Sequence, residues 1–245
     1  MKKSRTYGLI GKNIDYSFSQ KYFSEKFEKE NLNYTYSNFD IKRLSQIESI
    51  LQNDRISGFN VTIPYKEDII KYLDEIDEVA TAIGAVNAIK KINNKNVGYN
   101  TDCIGFGKSL LSLINKKKPE NALILGSGGA SKAIKYELNK LNIKYSSVSR
   151  RKGKSEFIYE NLNTEIINRF KMIINCSPVG TFPKIKDCPK IPYNSLTKDH
   201  ILYDLVYNPI ETLFLKKGRK KGCLTKNGLE MLQFQAEESW KIWEN

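Results

Sequence analysis

The chain has 245 residues, 40% of them hydrophobic and 11% aromatic, with 40 basic against 27 acidic side chains and a formal net charge of +13. This composition excludes a disordered chain, and the length suits one large or two small domains with cores of their own. No run approaches the roughly 20 apolar residues of a membrane span, and the start MKKSRTYGLIG has neither the apolar stretch nor the cleavage site of a secretory signal, so a cytoplasmic protein with no membrane partner is expected.

Cys103, Cys176, Cys188 and Cys223 form no CxxC pair, and His200 is the one histidine. That leaves no metal set and suggests no disulfide framework. His200 reads as an ordinary surface histidine ahead of a strand. The positive balance raises nucleic-acid binding as an option. Yet the lysines are scattered among Asn and Ile, and the runs at 116–118 and 219–221 fall at helix ends or in loops, where a cation suits the helix dipole without any ligand. No nucleic acid is expected; the charge fits an anionic small molecule or a phosphorylated cofactor.

In chain order, residues 6–10 read as a short strand ending at Gly11, and 18–30 as a helix with Phe18, Tyr22, Phe23 and Phe27 at helical spacing. A strand over 34–39 follows, then a helix over 41–51 with Ile41, Leu44, Ile47, Ile50 and Leu51 on one face. The stretch GFNVTIPYKE (58–67) reads as a strand ending in Thr62 and Ile63, with a short helix over 65–73 starting around Lys66. A strand over 86–92, the polar turn NNKN and a return over 97–99 make an antiparallel hairpin at the sheet edge. A helix over 104–115 leads to a second series: strand 122–125, a glycine turn, helix 132–141, strands 143–149, 172–175 and 201–205, a helix around 211–217 and an amphipathic helix over 228–243. Regular alternation of strand and helix predicts two α/β domains with mostly parallel sheets, dividing near residue 103.

The glycine turn is LILGSGGASKAI. It follows an apolar strand and opens a helix, the context a dinucleotide fingerprint requires. Gly126 permits the tight turn, Ser127 and Gly128 let backbone approach a pyrophosphate facing the helix N-terminus, and Gly129 and Ala130 are small enough for close packing. The next strand chooses the cofactor. A site for NAD usually ends that strand with an acidic residue. Here it runs into SVSRRKGKS, where Ser149, Arg150, Arg151, Lys152 and Lys154 precede the first carboxylate, Glu156. Guanidinium groups suit a 2′-phosphate, so NADP is expected over NAD.

Polar groups gather at strand ends in the first half, in DYSFSQ, GFNVTIPYKE, GAVNAI and GYNTDCIGF. Ser17 and Ser19 can donate to an anion, although either alone is an ordinary N-cap. Asn60, Thr62, Asn87 and Asp102 are short groups of the kind that read several substrate hydroxyls. Strand ends of α/β sheets are the usual ligand crevice.

Eight motifs in one order then carry a family resemblance: S-x-S (17–19), N-V-T-x-P-x-K (60–66), G-A-V-N (84–87), N-T-D-x-x-G (100–105), G-x-G-G-A-S (126–131), N-x-S-P-x-G (175–180), Y-N-P-x-x-T (207–212) and N-G-x-x-M-L-x-x-Q (227–235). The chain resembles the shikimate dehydrogenases from Tyr7 to its last helix. The resemblance implies an N-terminal α/β substrate domain (1–102, completed by a returning C-terminal helix, 228–245) and a Rossmann-like NADP-binding domain (103–227). It implies reversible reduction of 3-dehydroshikimate to shikimate with NADPH, in aromatic biosynthesis. Ser17, Ser19 and Tyr207 would hold the substrate carboxylate, and Asn60, Thr62, Asn87, Asp102 and Gln235 would serve the rest of the substrate. Lys66 and Asp102 would form the catalytic pair. Ser177, Leu205 and Gly228 would join the glycine turn, Ser149, Arg150, Arg151 and Lys154 around the cofactor. The chemistry of Lys66 follows from the reaction: hydride addition to a ketone develops an alkoxide, which an ammonium can stabilise and protonate.

The chain departs from the family pattern at Tyr16, where His is usual, and at Gln20 and Leu213, where Pro is common. Ser149-Arg150-Arg151 replaces Asn-Arg-Thr, which bears on cofactor preference, and the C-terminus looks short. Two other readings compete: a quinate/shikimate paralogue of broader substrate or NAD use, and a non-catalytic nucleotide-binding regulator on the same fold. Either a monomer or a homodimer is compatible with the sequence.

Overall fold

The structure is a computed structural model that describes residues 4–15, 17–114 and 118–245. Tyr16, the basic start and most of the 116–118 lysine run lie outside the described residues. The chain divides into two compact units, Met1–Thr101 with Ala236–Asn245, and Asp102–Gln235. Among the described residues no helix is long and apolar enough to cross a membrane.

The first unit is a six-stranded mixed sheet. Its strands are β1 (Arg5–Gly11), β2 (Tyr34–Asp40), β3 (Ile56–Val61), β4 (Glu75–Ile76), β5 (Ala88–Ile92) and β6 (Lys95–Tyr99), in the order β2-β1-β3-β5-β6-β4. β1 pairs in parallel with β2 and β3, while β5 runs antiparallel to both β3 and β6. Both faces of β1 are covered, as a central parallel strand requires. Its period of two sends Tyr7 and Leu9 into a cluster with Phe23 and Phe27 of helix α1 (Phe18–Lys29), and Ile10 into the opposite cluster with Phe59, Val61 and Ile89. By the same alternation Asn60 of β3 points to the face away from Phe59 and Val61.

Several elements differ from the sequence reading. β3 stops at Val61, because Pro64 has no N–H to continue a ladder and biases Ile63 toward a turn. The helix expected over 65–73 is a 3-10 turn, Asp68–Tyr72, so Lys66 sits in the turn before it. The 41–51 pattern yields a 3-10 turn at Leu44–Gln46 and a short α2 (Ile47–Leu51). β4 and α3 (Glu78–Ile83), capped by Asp77 and ended by Gly84 at φ 69°, are too short to show a period and went unread.

The second unit is an all-parallel sheet of β7 (Asn121–Leu125), β8 (Lys144–Ser149), β9 (Phe157–Ile158), β10 (Met172–Asn175), β11 (Ile201–Asp204) and β12 (Leu224–Lys226). Its order is β12-β11-β10-β7-β8-β9, a doubly wound arrangement whose switch point lies between β7 and β10. Leu123 and Leu125 pack on one face, Ala122 and Ile124 on the other. The helices are α4 (Asp102–Ile114), α5 (Gly129–Lys140), α6 (Thr164–Arg169), α7 (Leu213–Lys220) and α8 (Leu229–Glu244). Gly105 of α4 lets α8 cross closely, since a Cβ there would stand 2.6 Å from the Met231 carbonyl oxygen. Cations in the last turn of α7 (Lys217, Arg219, Lys220) face the negative helix end.

His200 corrects the sequence reading: it is fully buried. Its Nδ1 accepts the Thr197 N–H at 3.0 Å, which leaves the proton on Nε2, 3.1 Å from the Ile167 carbonyl. The two ring nitrogens thus tie the turn before β11 to Ile167 of α6.

Candidate active site

The polar residues singled out at the strand ends of the first unit collect at one end of its sheet. Ser17 caps α1, its hydroxyl accepting from the Ser19 N–H at 3.1 Å, and a hydroxyl that accepts keeps its own hydrogen to donate. Ser19 is buried in the first turn beside the Tyr36 phenol. The preceding loop is held by Asp40, which accepts from the N–H groups of Asn13 (3.0 Å) and Ile14 (3.2 Å). Gln20 ties α1 to β2 by accepting from Asn38 at 3.0 Å.

Thr62 follows β3, its N–H donating to Ile10 O at 2.9 Å. Lys66 is fixed through its backbone, because its carbonyl accepts the Val86 N–H at 2.8 Å. The neighbouring Tyr65 is buried and donates to Ile41 O at 2.6 Å. Asn87 lies just before β5. Because β5 is antiparallel to β3 and β6, its start shares the sheet end where β3 and β6 finish. The Asn87 side chain is gripped by Thr101: the Thr101 N–H donates to Oδ1 at 2.6 Å, and Nδ2 donates to Thr101 Oγ1 at 2.9 Å. A backbone N–H can only donate, so the amide orientation is determined. Asp102 is the next residue in the chain and opens α4.

Asn60, in β3, is buried. Its Oδ1 accepts from Tyr36 at 2.9 Å, and its Nδ2 donates to Asn87 O (3.2 Å) and Ser239 Oγ (2.9 Å). Both amide hydrogens are therefore committed inside the fold.

In the second unit the glycine turn has the properties a dinucleotide needs. Gly126 stands at φ 127°, a region glycine favours, and its N–H donates to Val148 O at 2.9 Å. Gly128 is the N-cap of α5, and a Cβ placed on it would meet nothing within 4 Å, so the backbone faces open space at a helix N-terminus. Ser127 is exposed beside it, and Gly129 and Ala130 form the first turn. At the end of β8, Ser149 Oγ donates to Arg151 O at 2.7 Å and shapes the loop, leaving Arg150, Arg151 and Lys154 exposed. Glu156, the first carboxylate after them, accepts from the Ser147 N–H and hydroxyl, both at 2.7 Å. Burial pushes its carboxyl up, but those bonds outweigh burial and hold it below the ordinary glutamate value. It is turned into structure, and the arginines face outward. These residues fit a 2′-phosphorylated dinucleotide.

Beside the switch point lies a buried group that sequence reasoning missed. Asp204 at the end of β11 is fully buried; it accepts from Asn175 Nδ2 (2.9 Å), the Val206 N–H (3.0 Å) and Thr212 Oγ1 (2.6 Å). Asn175 in turn accepts from the Ser177 hydroxyl at 2.6 Å. The available signal was an apolar strand ending in Asp, with Thr212 eight residues on. Gly228 must be glycine, since a Cβ would stand 2.1 Å from Leu205 O. Tyr207 is partly exposed on the loop after Val206, and Gln235 is buried with Nε2 donating to Leu232 O at 2.9 Å.

Burial raises the Asp204 carboxyl to about 6 from 3.8, against the three bonds that favour its charge. An acid raised in the folded state stabilises the fold below its unfolded value, and that stabilisation is lost as pH climbs through about 6. From pH 4 to pH 7, wild type is therefore expected to lose roughly 2–4 kcal/mol of unfolding free energy relative to Asp204→Asn. Urea unfolding of both at the two pH values checks this; parallel profiles would refute it.

A family model for the shikimate dehydrogenase substrate binding domain matches residues 9–89. The chain is 42% identical over 261 residues to a shikimate dehydrogenase (NADP+) of Methanococcus maripaludis, covering 98% of this chain and 92% of that protein. It superposes with a TM-score of 0.84 on a shikimate dehydrogenase solved with NADP+, at 35% identity and covering 98% and 90% of the two chains. The enzyme of Thermus thermophilus solved with NADP(H) and shikimate gives a TM-score of 0.86 at 25% identity, covering 98% and 93%. Sheet order, glycine turn, strand-end polar groups and full-length similarity agree, and the chain belongs to the shikimate dehydrogenase (NADP+) family.

Proposed function

We infer that this chain is an NADP-dependent shikimate dehydrogenase, reversibly reducing 3-dehydroshikimate to shikimate in aromatic biosynthesis. The observation that carries the reading is the gathering of Lys66, Thr62, Asn87 and the Ser17–Ser19 pair at one end of the first unit's sheet. That unit is the substrate domain and the parallel sheet carries the cofactor.

Lys66 is the proton donor to the alkoxide that forms at the substrate ketone, and the base in the reverse direction. Asp102 is its acidic partner and holds a substrate hydroxyl, and Thr62, Asn87 and Gln235 bind the other hydroxyls. Ser17, Ser19 and Tyr207 take the substrate carboxylate. Asn60 acts through Asn87, because both its amide hydrogens are already used. NADP supplies or removes the hydride when bound. Gly126, Ser127, Gly128, Gly129 and Ala130 hold the pyrophosphate, Ser149, Arg150, Arg151 and Lys154 the 2′-phosphate side, and Ser177, Leu205 and Gly228 the remaining length.

The test follows NADPH oxidation by absorbance with 3-dehydroshikimate, with NADH and, in the oxidative direction, quinate run alongside. Fast turnover with NADPH and shikimate as the preferred alcohol is expected. No turnover with either cofactor would favour a non-catalytic nucleotide-binding protein, and efficient quinate oxidation the broader paralogue. Arg150→Ala with Arg151→Ala is expected to lower kcat/KM for NADPH by about 10- to 100-fold, the worth of charge-assisted bonds, and to leave NADH within about twofold. Equal losses for both cofactors would remove the arginines from 2′-phosphate recognition.

A further inference from the structure

The inner face of α8 carries two buried polar side chains, Gln235 and Ser239, among apolar ones. Ala236 and Trp243 are buried there, and between them Ser239 is fully buried. An alanine would satisfy packing alone, so the hydroxyl has a polar task. It sits in a continuous chain of buried bonds. The chain starts where Ser19 bonds the Tyr36 phenol and passes from Tyr36 to Asn60. From Asn60 it reaches Ser239 Oγ, which lies 3.1 Å from Thr101 Oγ1. Thr101 then holds both ends of the Asn87 amide.

The direction of these bonds is fixed by main-chain groups. The Asn87 carbonyl can only accept, so Asn60 presents Nδ2 to it and to Ser239. The Thr101 N–H can only donate, so Asn87 presents Oδ1. Removing the Ser239 hydroxyl would take that partner from one Asn60 hydrogen and from Thr101 at a buried site, and the group would reorient. Thr101 directly precedes Asp102, and Gln235 lies one turn earlier than Ser239 on the same helix, at the i, i+4 spacing that shares a face.

We propose that Ser239 is a positioning residue for the reduction: its hydroxyl locks α8 to Thr101 and Asn60, and so sets the Asn87 amide and the path of the chain into Asp102. This rests on the function proposed above. It touches no reacting atom, and its effect runs through alignment, where displacements of about 1 Å cost up to about a hundredfold in rate.

The experiment compares wild type, Ser239→Ala, Thr101→Val and Thr101→Ser in the NADPH assay, with NADPH Kd measured by fluorescence. Ser239→Ala and Thr101→Val are expected to lower kcat by about 5- to 50-fold with NADPH Kd within about twofold, and Thr101→Ser, which keeps the hydroxyl, to hold kcat within about threefold of wild type. A lowered melting temperature with unchanged kcat for Ser239→Ala would make the residue merely structural and overturn the proposal. Should Ser239→Ala fail to bind NADPH or to fold, Ser239→Cys, which keeps the volume and offers only a weak donor and acceptor, decides in the same way: a kcat loss supports the proposal, an unchanged kcat ends it. Wild type that turns over no 3-dehydroshikimate would sink the activity, and this inference with it; active wild type with fully active variants would sink only the role of Ser239.

Discussion

Lys66→Met is expected to lower kcat for 3-dehydroshikimate reduction by about a hundred- to ten-thousandfold, the usual worth of a positioned general acid. Methionine keeps much of the apolar stem and removes the ammonium. The developing alkoxide then loses both its stabilising charge and its proton source. Lys66→Arg is expected to rescue little, because a guanidinium does not give up its proton in proteins. NADPH Kd should stay within about twofold, since the glycine turn and the Arg150–Arg151 loop belong to the second unit. Steady-state kinetics with a cofactor titration checks both halves. A raised KM with kcat intact would make Lys66 a binding group only.

Trp243→Ala is expected to destabilise the first unit by about 3–5 kcal/mol. The indole is 4% exposed and stacks on Tyr7 with ring centroids 4.7 Å apart and planes at 23°. It also meets Phe23 at 5.2 Å, and its Nε1 donates to Ile89 O at 3.0 Å. Truncation removes the ring from a close-packed aromatic cluster and the indole's bond to a carbonyl of the central sheet. Gly58 shows how tight the seat is, for a Cβ there would stand 2.5 Å from Trp243 Nε1. Trp243→Phe keeps much of the stacking and loses the bond, so it should cost less than half as much. Calorimetric melting of the three proteins checks the order. A Trp243→Ala midpoint within about 2 °C of wild type would show that the last helix does not hold this unit together.

The chemistry-bearing stretches were legible because each has a local cause. Gly126 is needed by its own φ, Ser17 caps the helix that follows it, and the arginines after β8 crowd the place where an NAD site would carry an acid. Apolar alternation likewise marked most long strands and helices. Short elements such as β4, α3 and β9 carry too few residues for a period, and the end of β3 was set by Pro64, the residue directly after the apparent pattern.

By itself, then, the sequence determined the two α/β units, the nucleotide turn, the cofactor expectation and the identity of the polar groups at strand ends, since backbone preference and side-chain period are properties of neighbours in the chain. Tertiary structure decided the rest. It buried His200 between Thr197 and Ile167, turned Glu156 onto Ser147, and committed both amide hydrogens of Asn60 inward. It reversed β5 so that Asn87 came to the sheet end where β3 stops, and it brought Ser239 to Thr101 across 138 residues. Contacts of that separation leave no local trace, because what selects them is the cost of a buried polar group without a partner, and the partner is chosen only when the layers close.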